Sequence, residues 1–438
     1  MNTLHWLPRF RAARRSLDTL ASRESWSRSD IESFQLERLN HVWNSARVSV
    51  PYCQRLFRSG EVPARFESLD EFRATVPLLP KSAVRGCPAD FMSRNPAPGR
   101  WHRTGGSTGD PTRVYWSHEA HREMLRAKYR MEQSFDVDFL DRKAFLWGHH
   151  GSFAPGWSGR MQRWSQSASD KFRSRLRLSA YRLGNDELDE HLARMQSFQP
   201  ISLYGYSSAI YTLARHAAMR QVKVDSLRLC VLTAEPAPEF FLDTASAALG
   251  CQATIEYGSV ECGLIASGYP DATLRIREDM VLVETIAQPS GLHAIVVTVL
   301  NNPSFPLLRY QIDDMACSPI VAPESGFTPI SCVQGRDNDG LISRTGKHIH
   351  SMAIKHVLEA DHRIRRFQVI QQESGDLDVQ IEPFDLNEKI NTDRIEQLLS
   401  QLVDGFAVRT TLTKQLAGNL AGKHRWIVSK RLSRPALA

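Results

Sequence analysis

Apolar positions recur along the chain with two different spacings, and the spacing changes from region to region. After Ser29-Asp30-Ile31-Glu32, a Ser-x-x-Glu capping-box signature, Ile31, Phe34, Leu39, Val42, Trp43 and Ala46 fall on one face of a helix of about four turns. Pro51 ends that helix, and Val50 to Phe57 begins another short element. Asp70 to Phe72 predicts a short helix, Val76-Pro77-Leu78-Leu79-Pro80-Lys81 an extended connector into the next one, and Asn95 to Gly99 a loop. Helical spacing returns over His118 to Phe135, Glu187 to Ser197, Ala209 to Met219 and Pro238 to Leu249. Short apolar runs at Val114 to Trp116, Ala144 to Trp147, Ile201 to Tyr204, Leu229 to Leu232 and Ala253 to Tyr257 predict strands. Strands alternating with helices imply βαβ units and a mostly parallel sheet, whose ligands gather at the carboxyl ends of the strands.

After Gly263 the texture becomes strand and turn. Met280 to Ile286, the turn Gln288-Pro289-Ser290-Gly291 and His293 to Leu300 read as antiparallel. Past Gly335 the elements are short: Phe367 to Gln371, Asp378 to Ile381, a helix over Thr392 to Leu402, Ala407 to Leu412, and Trp426 to Ser429. A chain of 438 residues exceeds what one core usually serves. The expected organisation is therefore α/β: a large domain over 1–335 with parallel and antiparallel parts, and a small α+β domain over 336–438, with the boundary near Gly335 to Asp339.

Composition narrows the partners. Hydrophobic residues at 42% and charged residues at 24% are ordinary for a globular protein. A net charge of +7 suits an anionic ligand, but much of the excess sits at the ends, in Arg9, Arg11, Arg14, Arg15, Lys430, Arg431 and Arg434. The basic residues form no stripe interleaved with aromatics, which argues against nucleic acid. Leu4 to Leu20 has the pattern of a basic amphipathic helix, expected to dock on the protein's own surface rather than on a membrane. No run is apolar enough for a signal peptide or a membrane span, and the seven cysteines are scattered without C-x-x-C spacing, so a reducing cytoplasm is expected.

Chemistry concentrates in a few stretches. His102-Arg103-Thr104-Gly105-Gly106-Ser107-Thr108-Gly109-Asp110-Pro111-Thr112-Arg113 is a bare glycine and hydroxyl loop suited to cradling an anion, and it lacks the lysine of a Walker A loop. Gly148 to Gly156 follows a predicted strand and carries His149 and His150. Thr233-Ala234-Glu235-Pro236, Glu256-Tyr257-Gly258-Ser259-Val260-Glu261-Cys262-Gly263 and Pro306 to Asp314 are expected in loops after strands. Tyr257 can stack on a base, Glu261 can hold Mg²⁺ against phosphates, and a carboxylate in the third stretch can accept from ribose hydroxyls. Gly335 to Ile342 lies at the expected boundary.

In order and spacing these stretches resemble the adenylate-forming enzymes, and within them the phenylacetate-CoA ligase and CapK-like branch. Tyr257 to Gly263 resembles Y-G-x-[ST]-E-x-G, Arg309 to Asp314 resembles R-Y-x-[ST]-G-D, Gly335 to Ile342 resembles G-R-x-x-D, and Asn419 to Arg425 resembles S-x-G-K-x-R. The resemblance implies activation of a carboxylic acid by ATP and Mg²⁺ to an acyl-adenylate with loss of pyrophosphate. The acyl group then passes to CoA, an amine, a sugar or another hydroxyl, or a carrier thiol. It implies that Thr104, Gly105, Gly106, Ser107, Thr108 and Gly109 hold the β and γ phosphates and that Glu261 binds Mg²⁺. Lys423 would reach the attacking carboxylate and the α-phosphate. Asp314 and Arg336 would fix the ribose and Tyr257 the adenine, with Ala234, Glu235, Pro236, Gly258 and Ser259 beside the nucleotide. Loop position assigns Trp147, His149, His150, Tyr206, Ser207 and Ala234 to the acyl pocket, where aromatics favour a flat or bulky acid. By the same resemblance the small domain turns about Asp337 to Asp339. A homodimer is left open.

Three positions depart from the pattern: Val260 replaces a hydroxyl residue, Asp313 a glycine, and Asn338 an aspartate. Cys332 and Gln334 stand where some relatives place a zinc-binding C-x-C, and the incomplete set reads as ordinary thiols. Two other classes stay on the table. One is a nucleotide-binding scaffold without turnover. The other is a serine hydrolase built on Gly205-Tyr206-Ser207-Ser208-Ala209, which lacks the last glycine of a nucleophile elbow.

Overall fold

The protein is described by a computed structural model covering residues 8–104, 111–148, 170, 174–180, 183–289, 291–331, 333–334, 340–346, 348–350, 354, 357–358, 361, 363–385, 387, 389–414, 416 and 426–431. Helix Arg28–Ser49 is capped at Ser27, two residues before the expected cap. Ser27 accepts from the Asp30 N–H and Asp30 accepts from the Ser27 N–H, so the earlier Ser-x-x-Asp satisfies both orphan donors. The Arg28 N–H, held by the Glu324 carbonyl at 2.8 Å, fixes the entry. Leu39, Val42, Trp43 and Ala46 then pack with Phe66, Phe72, Leu282, Leu300 and Leu308.

β1 (Gly99–Arg103) and β2 (Arg113–Ser117) form an antiparallel ribbon flanking the glycine-rich segment. β3 (Lys143–Trp147), β4 (Arg175–Ser179), β5 (Ser202–Tyr206), β6 (Leu229–Thr233), β7 (Gln252–Ser259), β8 (Gly263–Gly268) and β9 (Leu274–Ile276) make a seven-stranded sheet in the order β4-β3-β5-β6-β7-β8-β9. β4 through β7 are parallel; β8 and β9 are antiparallel. Every residue of β6 is buried, as expected of a central strand covered on both faces. Helices Asn185–Phe198, Ser207–Arg220 and Glu239–Leu249 pack on Leu146, Leu203 and Leu232, while helix His118–Ser134 packs on Leu229 and Val231 across the sheet.

β10 (Val281–Ala287), β11 (His293–Val299), β12 (Tyr310–Ala316) and β13 (Val333–Gln334) form an antiparallel sheet, as the turn at Gln288 to Gly291 predicts. β14 (Gly340–Ile342) pairs with β15 (His348–His350). β16 (Ile364–Gln371), β17 (Leu377–Pro383), β18 (Val408–Leu412) and β19 (Ile427–Ser429) form a mixed sheet in the order β18-β17-β16-β19. Its core, with Phe367, Ile381 and Leu399 of helix Thr392–Leu402, continues through Trp426 to Phe241, 6.2 Å away between ring centres.

The α/β expectation holds, with three elements differing from the pattern. β1 spans the end of one expected loop and the start of the next, and β4 falls in a stretch for which the pattern predicts no element. β1 belongs to a two-stranded ribbon and β4 lies on the sheet edge, where polar residues replace the apolar run and Arg175 covers the Phe145 ring at 5.5 Å. The stretch ending in Asp314 is strand rather than loop. Its pairing passes from Val296↔Gln311 to Ala294↔Met315, so β12 carries extra residues that bulge outward at Asp313 and Asp314.

Candidate active site

The site is built at the turn from β7 into β8. A Cβ on Gly258 would stand 2.3 Å from the Gly263 carbonyl oxygen, so the strands meet this closely only with glycine there. Ser259 Oγ accepts from the Cys262 N–H at 2.9 Å, and Trp116 Nε1 donates to the Val260 carbonyl at 3.0 Å. Gly258 and Ser259, expected at the nucleotide, thus shape the turn. They hold Glu261 inward, its side chain 4% exposed.

Glu261 meets a residue to which the motifs gave no role. Lys81 Nζ lies 2.9 Å from Glu261 Oε1, and the Tyr310 hydroxyl donates to the same oxygen at 3.4 Å. The connector before Lys81 is stitched to β12 by Leu79 N–H to Arg309 O and Gln311 N–H to Leu79 O, both at 2.9 Å. Arg309 completes the strap: Nη1 donates to the Arg73 and Val76 carbonyls at 2.5 and 2.7 Å, and Nη2 pairs with Glu284 at 2.9 Å. Burial, then the Glu261 carboxylate, push the Tyr310 phenol and the Cys262 thiol upward, so both stay protonated. The only sequence sign of Lys81 was a lysine closing an otherwise apolar, proline-bounded connector.

Tyr257 and Asp314, read separately from two motifs, come together: the Tyr257 hydroxyl donates to Asp314 Oδ2 at 2.9 Å. Burial, then Asp314, raise the phenol well above its ordinary value, so it remains a donor. Asp313, at a position where the resembled motif has glycine, has φ +66°. Aspartate is among the few residues that enter this left-handed region readily, so the backbone of the motif is kept. Val260 contributes its carbonyl, and its exposed side chain asks nothing of the turn.

Thr104 closes the neck of the glycine-rich segment. Its N–H donates to Thr112 O at 3.0 Å, and its hydroxyl accepts from the Thr112 N–H at 2.9 Å. Gly105, Gly106, Ser107, Thr108, Gly109, His149, His150, Arg336 and Lys423 lie outside the described residues, as does the hinge from Asp337 to Asp339. Among the described residues no cluster of three His, Cys, Asp or Glu side chains could hold a metal, and no helix is long and apolar enough to cross a membrane. Cys53, Cys87, Cys230, Cys251 and Cys262 are free, whereas Cys317 is disulfide-bonded, a cross-link the scattered cysteine spacing did not predict.

Comparison with known proteins bears on the fold that carries these residues. No family model matches the chain. A 2-hydroxyisobutyryl-CoA ligase in the postadenylation state superposes with a TM-score of 0.73 at 17% identity, over 94% of this chain and 92% of that one. The chain has the adenylate-forming fold. An acyl acid amido synthetase in complex with 2,4-DB superposes at 0.63 with 10% identity, over 96% and 95% of the two chains. An anthranilate CoA ligase bound to anthranoyl-AMP gives 0.51 at 15% identity, over 74% and 65%. In sequence, the protein CapK of Staphylococcus aureus is 25% identical over 175 residues, and that match spans 39% of either chain.

At the carboxyl ends of β3, β5 and β6 lie the residues expected to receive an acid. Trp147 and Tyr206 meet with ring centres 4.2 Å apart, and Trp147 also stacks on Tyr204 at 5.8 Å. Ala234 has φ +66°, turning the chain after β6 so that Glu235 Oε2 accepts from the Ser208 N–H at 3.0 Å and from its hydroxyl at 2.5 Å. Glu235 thereby caps helix Ser207–Arg220, an anion at the positive helix end, and Pro236 follows exposed. Ser207 is fully buried and donates to the Glu235 carbonyl at 3.1 Å. It frames the pocket instead of lining it, and it does not present the free hydroxyl a serine hydrolase needs.

Proposed function

We propose that this protein uses ATP to activate a carboxylic acid as an acyl-adenylate, releasing pyrophosphate, and then passes the acyl group to an acceptor. The observation that carries the reading is the convergence of two distant pairs at one strand end: Lys81 with Glu261, and Tyr257 with Asp314. In this reading the Tyr257 ring borders the adenine and Asp314 accepts from the ribose, with Arg336 beside it. Thr104, Gly105, Gly106, Ser107, Thr108 and Gly109 hold the β and γ phosphates, and Ala234 to Pro236 line the nucleotide edge. One carboxylate suffices for Mg²⁺, which completes its shell with phosphate oxygens and water, so Glu261 fits that role, and the ion would neutralise charge building on the departing pyrophosphate. Lys81 adds a fixed cation beside it. Lys423, carried by the domain over 336–438, meets the carboxylate and α-phosphate during adenylation, and rotation of that domain about Asp337 to Asp339 then admits the acceptor.

The acyl pocket uses Trp147 and Tyr206, with His149 and His150 from the following segment. The likeness to CoA ligases and to an acyl acid amido synthetase supports CoA or an amine as the acceptor; a sugar or a carrier thiol as acceptor, a cytoplasmic setting and a homodimer are further parts of the proposal. The turnover reading is favoured over a silent scaffold because Asp313 and Val260 preserve the backbone that their motifs require. ATP–pyrophosphate exchange over a panel of aryl, fatty and amino acids tests the proposal. Exchange with at least one acid, abolished in Lys423→Ala, is expected; an unchanged rate in that variant would falsify the assignment.

A further inference from the structure

Deeper on the same sheet face lies a polar cluster that no motif accounts for. Lys128, on helix His118–Ser134, donates to Glu256 Oε1 at 2.7 Å and to the Tyr204 hydroxyl at 3.0 Å, and Tyr204 donates to that same carboxylate oxygen at 2.5 Å. Glu256 is 5% exposed, yet its second oxygen, Oε2, has no hydrogen-bond partner. A buried carboxylate oxygen left unanswered is costly, and native structures rarely tolerate one without a reason.

A second lysine–glutamate pair, Glu132 on the same helix with Lys143 on β3, shows what an ordinary one looks like. Lys143 and Glu132 are 6% and 8% exposed, and neither leaves an orphaned oxygen. Lys128 differs, with a quarter of its side chain open, next to the half-buried rings of Tyr204 and Trp147. This cluster therefore borders accessible space while holding an acceptor that nothing fills. His121, two helical turns earlier and so about 10 Å along the helix, stacks on His102 at the foot of the glycine-rich segment. One helix therefore links this cluster to the segment proposed to hold the phosphates.

Resting on the adenylation reading above, we propose that this cluster selects a carboxylic acid bearing a distal hydroxyl, whose hydrogen goes to Glu256 Oε2 and whose oxygen accepts from Lys128. The pairing of charges decides among substituents. A second carboxylate would be repelled by Glu256, an ammonium by Lys128, and a bare ring or alkyl end would leave Oε2 dry; of these ends, a hydroxyl answers both partners with one atom. A site that hydrogen-bonds a substrate hydroxyl rejects the analogue lacking it far more strongly than an apolar pocket does.

The test is ATP–pyrophosphate exchange with matched acids: 4-hydroxyphenylacetate against phenylacetate, 3-hydroxybenzoate against benzoate, and 6-hydroxyhexanoate against hexanoate. In the wild-type enzyme the best-activated pair should favour its hydroxylated member by at least about tenfold in kcat/KM. Glu256→Gln should bring that ratio towards one, and the double variant Lys128→Met/Glu256→Gln, which removes both charges together, should do so even if Lys128→Met alone does not fold. A ratio of one or below in every pair, or a preference that survives in the folded variants, overturns this inference alone. No exchange with any acid overturns the adenylation reading, and this inference falls with it.

Discussion

The two ends of the site are built in opposite ways. The proposed nucleotide end is a web of buried hydrogen bonds and ion pairs between elements: Lys81 on Glu261, Arg309 on the Val76 carbonyl and Glu284, and Tyr257 on Asp314. The proposed acyl end is made of stacked rings on adjoining strands, Trp147, Tyr204 and Tyr206, with one polar cluster beneath them. Directional polar ties break when one partner changes, so the first end resists change. Rings on one strand face can be exchanged without disturbing the turns proposed to position the phosphates. The difference implies that reaction class and acid preference are separable in this protein.

The largest expected effect breaks the web. Lys81→Met leaves Glu261 buried and without its cation, and removing one partner of a buried pair costs about 3–5 kcal/mol. Urea denaturation should show that loss, and Lys81→Met/Glu261→Gln should recover part of it. A loss under about 1 kcal/mol would mean that the pair is wetter than its burial indicates. Glu261→Gln comes next: it too leaves a buried partner, Lys81, without its counter-charge, so the same urea series should show a loss, and in the folded variant, which lacks the charge proposed to hold Mg²⁺, exchange should fall on the order of 100-fold. Trp147→Ala supplies the contrast, raising KM for the acid several-fold with kcat for exchange nearly kept. If Trp147→Ala instead lowers kcat as far as Glu261→Gln does, the two ends are not separable.

A smaller step sharpens the picture within the nucleotide end. Tyr257→Phe removes the hydroxyl bonded to Asp314 and keeps the ring. It should cost about 1 kcal/mol of stability, the usual net worth of one hydrogen bond, and raise KM for ATP a few-fold. Tyr257→Ala, which also removes the ring, should raise KM for ATP further. Equal KM values for the two variants would remove the ring from the proposed adenine contact.

What the sequence disclosed follows the same division. Long apolar runs such as Leu229 to Leu232 and helical faces such as His118 to Phe135 were legible, because a strand buried on both faces and an amphipathic helix each carry a strong period. The motif residues Tyr257, Glu261 and Asp314 were legible as chemistry, but that Tyr257 touches Asp314 was not, since tertiary contact has no period. β4 escaped because an edge strand needs apolar residues on one face only, and arginines can cover the other. The bulge that aims Asp314 hides in a pairing register. Lys81 was missed for a related reason: its partner is fixed by the Arg309 strap, and no local signal marks a lysine that a distant strand will bury.

The smallest predicted effect lies between the two ends, at the stacked rings of His102 and His121, whose centres are 6.1 Å apart. Burial lowers both imidazoles below their ordinary value near 6.5, aided by Arg100 for His102 and by His102 itself for His121, with Lys128, His118 and Arg100 facing His121 as further cations. The sign follows from proton counts. Between the lowered native values and 6.5 the unfolded chain binds more protons than the folded one, so stability rises with pH in that window. The contribution is complete above 6.5 and is lost as the pH falls through the native values. Both rings are only half-buried, so solvent screens the effect to roughly 0.5 kcal/mol. Urea midpoints measured from pH 7.5 down to 5 should show it as a decline that His121→Gln flattens, because one neutral ring then has no charged twin to meet. An identical decline in that variant would place the acid sensitivity elsewhere.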